Sequence, residues 1–442
     1  MQQPFIPKEQ SGFRALMQCK DQFFRLMQHA TQACQQNFNL LGVSFDGSKA
    51  FDTVAHEFLL SPMVDLVRSG QLPRYCLFYV KQFLEERTFR VNVGGEITDE
   101  KGNILAGVPQ GSCSAPLLYI IFVADVPDPT IRYEEQIPQV PSHISKIDFK
   151  GWREGNYTIE NGKFADDLAA WVRIGKLKGL GKRKEVSEIV LQTYLHKVGN
   201  WADERKIKFN ADKTQLICFR GNRPTNQDKP KPFEFQGEIL SYSDEFKYLG
   251  ITFDETLEFK SLFDDLCKEM KTRINRLGYI TRRGNISPLT SYRWMQTLVF
   301  SIIAYFELIW FKDEDKIKKL QKIMNKARRT AMQAQKGTRN GVLSIRCPDF
   351  DFVKWGEKIA EKWYLKNVGS AANRKDRPKN PCIVETIDNC KKWRNKQYAL
   401  SKRGMGIQTP YDNLVKLTGV TGLEPCVNCQ CGFPEQAGLF YD

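Results

Sequence analysis

Apolar and polar positions in the first part of the chain predict a helix followed by a buried strand. After a polar start, apolar residues recur between positions 16 and 27 at a spacing that favours a helix with one apolar face. Residues 39–45 are almost entirely apolar, as in a buried strand, and the run ends at Asp46. This order places an acidic side chain where a sheet can present it to a cleft.

The next hundred residues predict helices separated by short hairpins and loops. Residues 56–67, 73–85 and 116–126 have the periodicity of helices, and residues 89–98 predict a hairpin with two glycines at its turn. Residues 127–162 are proline-rich and polar without a clear period. We expect this last segment to form a long surface loop.

Beyond residue 174 the pattern changes from mixed elements to helices alone. Residues 185–205 predict an amphipathic helix, residues 206–219 predict two strands joined by a polar turn, and residues 233–240 and 246–253 predict one strand each. Periodic helical segments then follow at residues 257–277, 289–310 and 313–333. The last of these is strongly basic, which is typical of a solvated face or of a surface that binds phosphates.

Composition narrows the classes of function. The formal net charge of +15 favours a polyanionic partner, with nucleic acid ahead of an anionic membrane. The longest apolar run, residues 298–310, is too short to span a bilayer and contains Glu307. The N-terminus lacks the pattern of a secretory signal. We therefore expect a protein that is not secreted and not in a membrane, located in the nucleus, the cytoplasm or both.

The twelve cysteines are scattered, which indicates reduced thiols rather than a disulfide framework. Cys426, Cys429 and Cys431 begin like a zinc site, and Cys382 or Cys390 could supply the fourth ligand. The alternative is a tail with unpaired thiols. No pattern assigns a role to residues 341–442.

Two adjacent acids, Asp166 and Asp167, lie between short apolar runs that predict a hairpin over residues 163–172. Two carboxylates about 4 Å apart repel by roughly 4 kcal/mol at an effective dielectric near 20, so such a turn needs a nearby cation or full solvation. A solvated surface turn is the simpler interpretation, and Asp46 could likewise only cap a following helix.

The segment Gly107-Val-Pro-Gln-Gly111 precedes the predicted helix at residues 116–126. Glycines flanking Pro109 and Gln110 allow bare backbone to approach a flat ligand. The alternative is an ordinary loop in which Ser112 or Ser114 caps the helix.

Taken in order, these blocks resemble the reverse transcriptases of non-LTR (LINE-like) retrotransposons, closest to the jockey group. The resemblance covers roughly residues 11–340. The matching blocks are Ser11-Gly-Phe-Arg14, Asp46-Gly-Ser-Lys-Ala-Phe-Asp-Thr-Val54 with His56, Gly107-Val-Pro-Gln-Gly-Ser112 with Pro116-Leu-Leu118, Phe164-Ala-Asp-Asp167, Asn210-Ala-Asp-Lys-Thr214 and Phe246-Lys-Tyr-Leu-Gly250.

The resemblance implies an α+β right-hand polymerase fold that catalyses RNA-directed DNA synthesis. By this likeness residues 1–36 are residual fingers, 37–255 the palm with fingers insertions, 256–340 a helical thumb, and 341–442 a tail. The partners would be an RNA template, a DNA primer and dNTPs, while the oligomeric state stays open. Relative to the family, we expect an N-terminally truncated chain without the preceding fingers segment and without an endonuclease domain.

The same resemblance assigns the chemistry of nucleotidyl transfer to four residues. Asp46 and Asp166 would bridge two Mg²⁺ ions, for which Mn²⁺ could substitute, and Asp167 would be the third carboxylate. Lys213 is similar to the lysine that protonates the departing pyrophosphate. The alternative for Lys213 is a solvated turn residue.

The remaining implied site residues contact the nucleotide and the primer. Phe51 would lie under the sugar and exclude a ribose 2′-hydroxyl, which disfavours an RNA-dependent RNA polymerase. The nucleotide-binding loop would comprise Gly107, Pro109, Gln110 and Gly111. The primer end would be held by Tyr248, Leu249 and Gly250. The alternative to an active polymerase is a catalytically inactive relic of such an element, which still binds nucleic acid through the basic helix predicted at residues 313–333.

Overall fold

The structure is a computed structural model, and its contacts divide the chain into two compact units between Leu257 and Glu258. The residues it describes are 5–14, 17–35, 40–47, 50–127, 157–174, 180–210, 212–220, 232–303, 306 and 313–344. The predicted cysteine site and the tail at residues 345–442 lie outside the described residues.

The first unit mixes helices and strands, so the α+β class is confirmed. In chain order its elements are α1 (Cys19–Gln35), β1 (Leu40–Phe45), α2 (His56–Arg68), α3 (Arg74–Leu84), β2 (Thr88–Phe89), β3 (Asn92–Val93), β4 (Glu96–Ile97), β5 (Gly102–Asn103), α4 (Ala115–Phe122), β6 (Tyr157–Phe164), β7 (Asp167–Ile174), α5 (Leu180–Glu204), β8 (Gln215–Phe219), β9 (Phe233–Phe235), β10 (Glu238–Leu240), β11 (Glu245–Tyr248) and β12 (Ile251–Asp254).

A four-stranded antiparallel sheet in the order β6-β7-β1-β8 carries the core of this unit. Alternate residues of β1 point to one face, where Leu41, Val43 and Phe45 join a buried apolar cluster. Helix α5 adds Tyr194 and Val198 to the same cluster. The central strand is thereby anchored up to the residue before Asp46.

The opposite face of the sheet packs against α1, which is buried along almost its whole length. The predicted single apolar face is therefore wrong, because polar residues of this helix are buried too. Two of them are paired across the interface: Arg25 forms an ion pair with Glu160 at 2.9 Å, and the indole N–H of Trp171 donates to Nδ1 of His29 at 2.8 Å. Buried polar groups are tolerated when they are paired in this way.

Two predicted single strands are in fact hairpins. Residues 233–240 form β9 and β10 around a turn at Gln236-Gly237, and residues 246–253 belong to β11 and β12 around Leu249-Gly250. In each turn both central residues have positive φ. The values are 48° at Gln236 and 81° at Gly237 in the first turn, and 50° at Leu249 and 75° at Gly250 in the second. Such paired positive φ values are typical of the tight turns that connect antiparallel strands.

Three boundaries also differ from prediction. Residues 157–162 were expected in a loop, but they lie in β6, where pairing with β7 overrides their weak strand pattern. Of the two strands predicted in residues 206–219, only β8 forms, and Phe209 makes a single bridge to Gly47. Helix α5 begins at Leu180, five residues before the predicted start. The predicted helices α2, α3 and α4 and the hairpin of β3 and β4 are confirmed.

The described part of the second unit is helical. Its elements are α6 (Lys260–Arg283), α7 (Pro288–Met295) with a π-helical turn at Gln296–Phe300, α8 (Glu314–Ala331) and α9 (Asn340–Ser344). Asp313 caps α8 by accepting hydrogen bonds from the backbone of Asp315 and Lys316. No helix among the described residues is both long and apolar enough to cross a membrane.

Candidate active site

Strands β1 and β7 bring the three predicted carboxylates to one edge of the sheet. Phe45, the last residue of β1, pairs with Leu168, the second residue of β7. Continuing the antiparallel register by one residue places Asp46 opposite Asp167, and Asp166 precedes Asp167 in the turn. Asp46 therefore meets two adjacent acids that lie 120 and 121 residues further along the chain.

The turn that carries Asp166 has an unusual backbone. Phe164 pairs with Asp167, so Ala165 and Asp166 are the two residues that connect β6 and β7. Ala165 has a φ of 59°, in the left-handed region. For a residue with a Cβ atom this conformation costs roughly 1–2 kcal/mol, so contacts elsewhere must maintain it.

The carboxylates repel one another. Although Asp167 is open to solvent on one side, desolvation by the surrounding protein, followed by repulsion from Asp166 and Asp46, raises the pKa of the Asp167 carboxyl to about 6. A raised carboxyl pKa means that the negative charge is disfavoured in the folded chain. A cation bound at this edge would relieve that repulsion.

Lys213 supplies one such cation. Its Nζ lies 3.5 Å from Oδ2 of Asp46, and both side chains are substantially exposed. The backbone N–H of Asn210 donates to the carbonyl of Asp46 at 2.9 Å, which ties the turn before β8 to the end of β1. Asp46 does not cap α2, because that helix begins ten residues later at His56.

The donor chemistry at this edge fits a hard divalent cation, since all three acids offer carboxylate oxygens. Within the described residues, however, no three His, Cys, Asp or Glu side chains converge closely enough to hold a metal ion in this conformation. Mutual repulsion of the three carboxylates is a sufficient physical reason for them to stay apart without a cation.

Phe51 lies beside the carboxylates through its contact with Tyr119 on α4. The two rings stack with centroids 4.6 Å apart and an interplanar angle of 26°. Tyr119 also lines a pocket together with Asp166 and Asp167, and burial, followed by the charges of these two acids, raises the pKa of its phenol. Phe51, the residue predicted to exclude a ribose 2′-hydroxyl, thus packs against a side chain that adjoins the carboxylate edge.

The loop at residues 107–111 is linked to the same region by its backbone. Gly107 has a φ of 94°, and a Cβ atom there would lie 2.8 Å from the carbonyl oxygen of Asp52. The N–H of Val108 donates to the carbonyl of Phe51 at 2.9 Å, and Nε2 of His56 donates to the carbonyl of Gly107 at 2.9 Å. The first predicted glycine is therefore required by the close approach of two backbone segments.

The rest of that loop is open to ligands. Gln110 is exposed, and its side-chain amide donates to Asp52 at 3.4 Å. Gly111 has a φ of 91° with open space around it, and Pro109 is half-buried. Of the two serines considered as caps, Ser114 makes no side-chain capping bond to α4, whereas the hydroxyl of Ser112 accepts a hydrogen bond from the N–H of Ser114 at 3.2 Å.

The predicted primer residues form the turn between β11 and β12. Leu249 and Gly250 are at its tip, whereas Tyr248 is only 2% exposed. A Cβ atom on Gly162 of β6 would lie 2.7 Å from the Tyr248 hydroxyl oxygen, so the phenol packs against the strand that leads to Asp166. The Tyr248 ring is therefore a core element, and the role of this turn in holding a primer stays a prediction.

Two residues that the sequence interpretation did not single out also belong to this region. Tyr119 lies within the apolar helix predicted at residues 116–126, and the sequence pattern did not distinguish it from its apolar neighbours. Gln10 precedes the first recognised block, and its contacts are with Ala165, 155 residues away. Only a known fold could have revealed either contact.

Comparisons with known proteins agree with this geometry. Residues 1–253 match the family profile described as reverse transcriptase (RNA-dependent DNA polymerase). The chain is 30% identical over 283 residues to the RNA-directed DNA polymerase from mobile element jockey of Drosophila melanogaster, a match that covers 63% of this chain and 27% of that protein. It is 28% identical over 326 residues to the probable RNA-directed DNA polymerase from transposon BS of the same species, covering 73% and 32%.

The chain thus spans about a third or less of the length of these curated relatives. Among solved structures, telomerase from Candida tropicalis in complex with a telomeric RNA fragment matches with a TM-score of 0.34 and 14% identity, covering 93% of this chain and 54% of that one. The sequence matches confirm the resemblance to jockey-group enzymes, and the profile covers more than half of the chain. The chain belongs to the reverse transcriptase (RNA-dependent DNA polymerase) family.

Proposed function

We propose that this chain catalyses RNA-directed DNA synthesis by transferring deoxynucleotides to a primer 3′-hydroxyl. The observation that carries the proposal is the meeting of Asp46, Asp166 and Asp167 at one sheet edge, in a chain of the reverse transcriptase family. The substrates would be an RNA template, a DNA primer and dNTPs.

Asp46 and Asp166 would hold the divalent cations, with Asp167 as the third carboxylate. Two Mg²⁺ ions, or Mn²⁺ in their place, would acidify the primer hydroxyl and neutralise charge on the triphosphate. The deprotonated 3′-oxygen then forms a bond to the α-phosphorus as the bond to pyrophosphate breaks. The carboxylates would keep the reacting groups aligned, because Asp46 directly follows β1 and Asp166 and Asp167 lie where β7 begins.

Lys213 would donate a proton to the leaving pyrophosphate. Its ammonium group is exposed and lies beside Asp46, so it can turn from that carboxylate towards a bound triphosphate. A proton from such a donor stabilises the charge that develops on the leaving oxygen.

Phe51 would select deoxynucleotides, and Tyr119 would hold the Phe51 ring in place. We expect Phe51→Val to increase ribonucleotide use relative to deoxynucleotide use by at least about tenfold, since a ΔΔG of 1.4 kcal/mol corresponds to tenfold. Incorporation of UTP against dTTP by wild type and variant measures this directly. Unchanged discrimination would show that Phe51 is not the gate.

The arrangement of the chain as a right hand belongs to the same proposal. Residues 1–36 would be residual fingers, 37–255 the palm and 256–340 the thumb. The exposed lysines of α8, among them Lys318, Lys322 and Lys326, would contact the template-primer backbone, whereas Arg328 is buried and would not. Binding through such contacts weakens with salt. We also propose an intracellular site of action, in the nucleus, the cytoplasm or both.

A second candidate is a nucleic-acid-binding protein without polymerase activity. It is favoured by the ion pair between Lys213 and Asp46, which gives one carboxylate of the site a cationic partner within the protein. Such a protein would keep the basic face of α8 while no longer binding a dNTP with its cations.

Primer extension separates the two candidates. The purified chain is given poly(rA) with an oligo(dT) primer, Mg²⁺ and dTTP, beside Asp166→Asn, and template-primer binding is measured for both. Extension by wild type that the substitution abolishes supports the polymerase. Binding by both proteins without extension by either supports the second candidate.

A further inference from the structure

A short segment near the N-terminus runs beside the turn that carries Asp166. The N–H of Ser11 donates to the carbonyl of Lys163 at 2.8 Å, and the N–H of Lys163 donates to the carbonyl of Glu9 at 3.2 Å. Gln10 and Lys163 form a parallel bridge. The segment therefore extends the sheet near the end of β6, at a residue two positions before the turn begins at Ala165.

The Gln10 side chain contacts the turn itself. Its Oε1 accepts hydrogen bonds from the N–H of Ala165 at 3.0 Å and of Gly12 at 2.8 Å, and its Nε2 donates to the carbonyl of Ala165 at 3.4 Å. The side chain is buried, with Gln10 only 1% exposed. Both backbone groups of the left-handed residue are thus bonded to one amide.

Neighbouring residues fix the position of that amide. A Cβ atom on Gly12 would lie 2.2 Å from the Ala165 nitrogen, so the segment approaches the turn as closely as glycine allows. From α1, the amide of Gln22 donates to the carbonyl of Glu9 at 2.8 Å and to the hydroxyl of Ser11 at 2.7 Å. The buried helix α1 therefore holds the segment that presents Gln10. We call the pair of hydrogen bonds between Gln10 and Ala165 the clamp.

We propose that Gln10 is a positioning residue that holds the Ala165-Asp166 turn so that Asp166 can bind a divalent cation. Gln10 touches neither the cation nor the substrate. It acts through Ala165, whose conformation sets the direction of the adjacent carboxylate. The proposal rests on the proposed function for the use of that cation, but cation binding can be measured without turnover.

The simpler alternative is that Gln10 only attaches the N-terminal segment to the sheet. The chain contains a matched control for this alternative in Gln192 on α5. Gln192 is also buried, and it makes a similar two-point pair with the backbone of Glu234 on β9, at 2.7 Å and 3.0 Å. Gln192→Met removes the same kind of clamp from a strand that carries no acid of the site.

The experiment measures Mn²⁺ binding by electron paramagnetic resonance, together with amide hydrogen exchange of the peptide that contains Ala165. The proteins are wild type, Gln10→Met, Gln192→Met and Asp166→Ala. We expect Gln10→Met to weaken Mn²⁺ affinity at least about tenfold, the usual effect of losing a partner that orients a metal ligand. Exchange at Ala165 should accelerate. Gln192→Met should bind Mn²⁺ within about twofold of wild type, the additivity error expected for a distant site.

Each outcome decides the proposal. Any of three results would overturn it. The first is wild-type Mn²⁺ affinity in Gln10→Met although exchange at Ala165 is faster. The others are a loss of Mn²⁺ affinity in Gln192→Met equal to that in Gln10→Met, and Mn²⁺ binding that is unchanged in Asp166→Ala. If Gln10→Met does not fold, Gln10→Asn, whose amide is one methylene short of Ala165, takes its place with the same expectations. Loss of Mn²⁺ affinity in Gln10→Met without primer extension by wild type would support the clamp and refute the polymerase.

Discussion

Two parts of the four-stranded sheet contribute oppositely to stability: the middle of its strands, here called the body, and the edge that carries Asp46, Asp166 and Asp167, here called the tip. In the body, Val43 of β1 pairs with Ala170 and Leu216, and all three are buried at 1% exposure or less. A few residues further, at the tip, Asp46 approaches Asp167 and Ala165 adopts a left-handed conformation. The body favours folding at each position, while the tip combines like charges with a strained backbone. Stability and the candidate chemistry are thus separated along the same strands.

Two other hairpins of the first unit also have a left-handed residue with a Cβ atom, Gln236 at a φ of 48° and Leu249 at 50°, so the tip differs from them in how its turn is held rather than in that strain. The turns at Gly94-Gly95, Gln236-Gly237 and Leu249-Gly250 each place a glycine at their second central residue. The turn between β6 and β7 has no glycine and is bonded instead by Gln10. The first three turns are thus favoured by their own glycines, whereas the turn between β6 and β7 depends on a distant segment of the chain.

The largest effect on folding is expected in the body. Phe45 is 2% exposed and contacts Phe209 and Phe235 at centroid distances of 5.5 Å and 5.3 Å. Phe45→Ala should lower the free energy of unfolding by about 3–5 kcal/mol, because it removes these contacts and leaves a cavity. Urea denaturation measures the loss. Phe45→Leu serves as the control, with a smaller decrease in the free energy of unfolding. A decrease below about 1 kcal/mol in Phe45→Ala would contradict a tightly packed core in the body of the sheet.

At the tip the sign should reverse. Removing the charge of Asp167 by Asp167→Asn should raise the free energy of unfolding of the metal-free chain at pH 8. The raised pKa corresponds to a destabilisation that solvent screening reduces to about 1 kcal/mol at this exposed position. Urea denaturation in the presence of a chelator gives the value, and Asp99→Asn on an exposed loop should change it little.

The pH dependence follows from the same pKa. In the unfolded chain the carboxyl has a pKa of 3.8, and in the folded chain it is raised to about 6, so the folded state binds more protons between these values. The contribution of Asp167 to stability is therefore most favourable below pH 3.8 and is lost as the pH rises through 6. The advantage of Asp167→Asn should grow over that window, and an advantage independent of pH would refute the assignment.

The smallest effects separate the two kinds of turn. Ala165→Gly should raise the free energy of unfolding by about 0.5 kcal/mol, since relief of the left-handed strain exceeds the entropy cost of glycine. Gly250→Ala, at a φ of 75° with open space around it, should lower it by about 1 kcal/mol. Paired denaturation curves test both signs. The same sign for the two substitutions would contradict the left-handed conformation of one of the two residues.

Local patterns were sufficient for several elements and for the carboxylate edge. The apolar run before Asp46 and the alternation around Asp166 and Asp167 predicted β1 and the hairpin, which are confirmed. The roles assigned to Phe51 and Lys213 stay predictions. Lys213 lies beside Asp46, and Phe51 stacks on Tyr119, which lines a pocket with Asp166 and Asp167.

What the sequence did not predict depends on contacts between distant residues. Gln236-Gly237 and Leu249-Gly250 interrupt apolar runs too briefly to separate two strands by periodicity. Tyr248 was assigned to a ligand, whereas packing against Gly162 buries it. The contact of Gln10 with Ala165 follows from the pairing of an N-terminal segment with β6, which no local pattern encodes.

The central claim is that the tip is destabilised because it is built to bind a cation. The most direct test is urea denaturation of wild type and Asp166→Asn with a chelator and with saturating Mg²⁺. Without the cation the variant should be more stable, because one of three repelling charges is gone. With Mg²⁺ the order should reverse, since a ligand that binds only the folded chain at ten times its Kd adds about 1.4 kcal/mol. An unchanged order, or equal stabilisation of both proteins by Mg²⁺, would contradict the account.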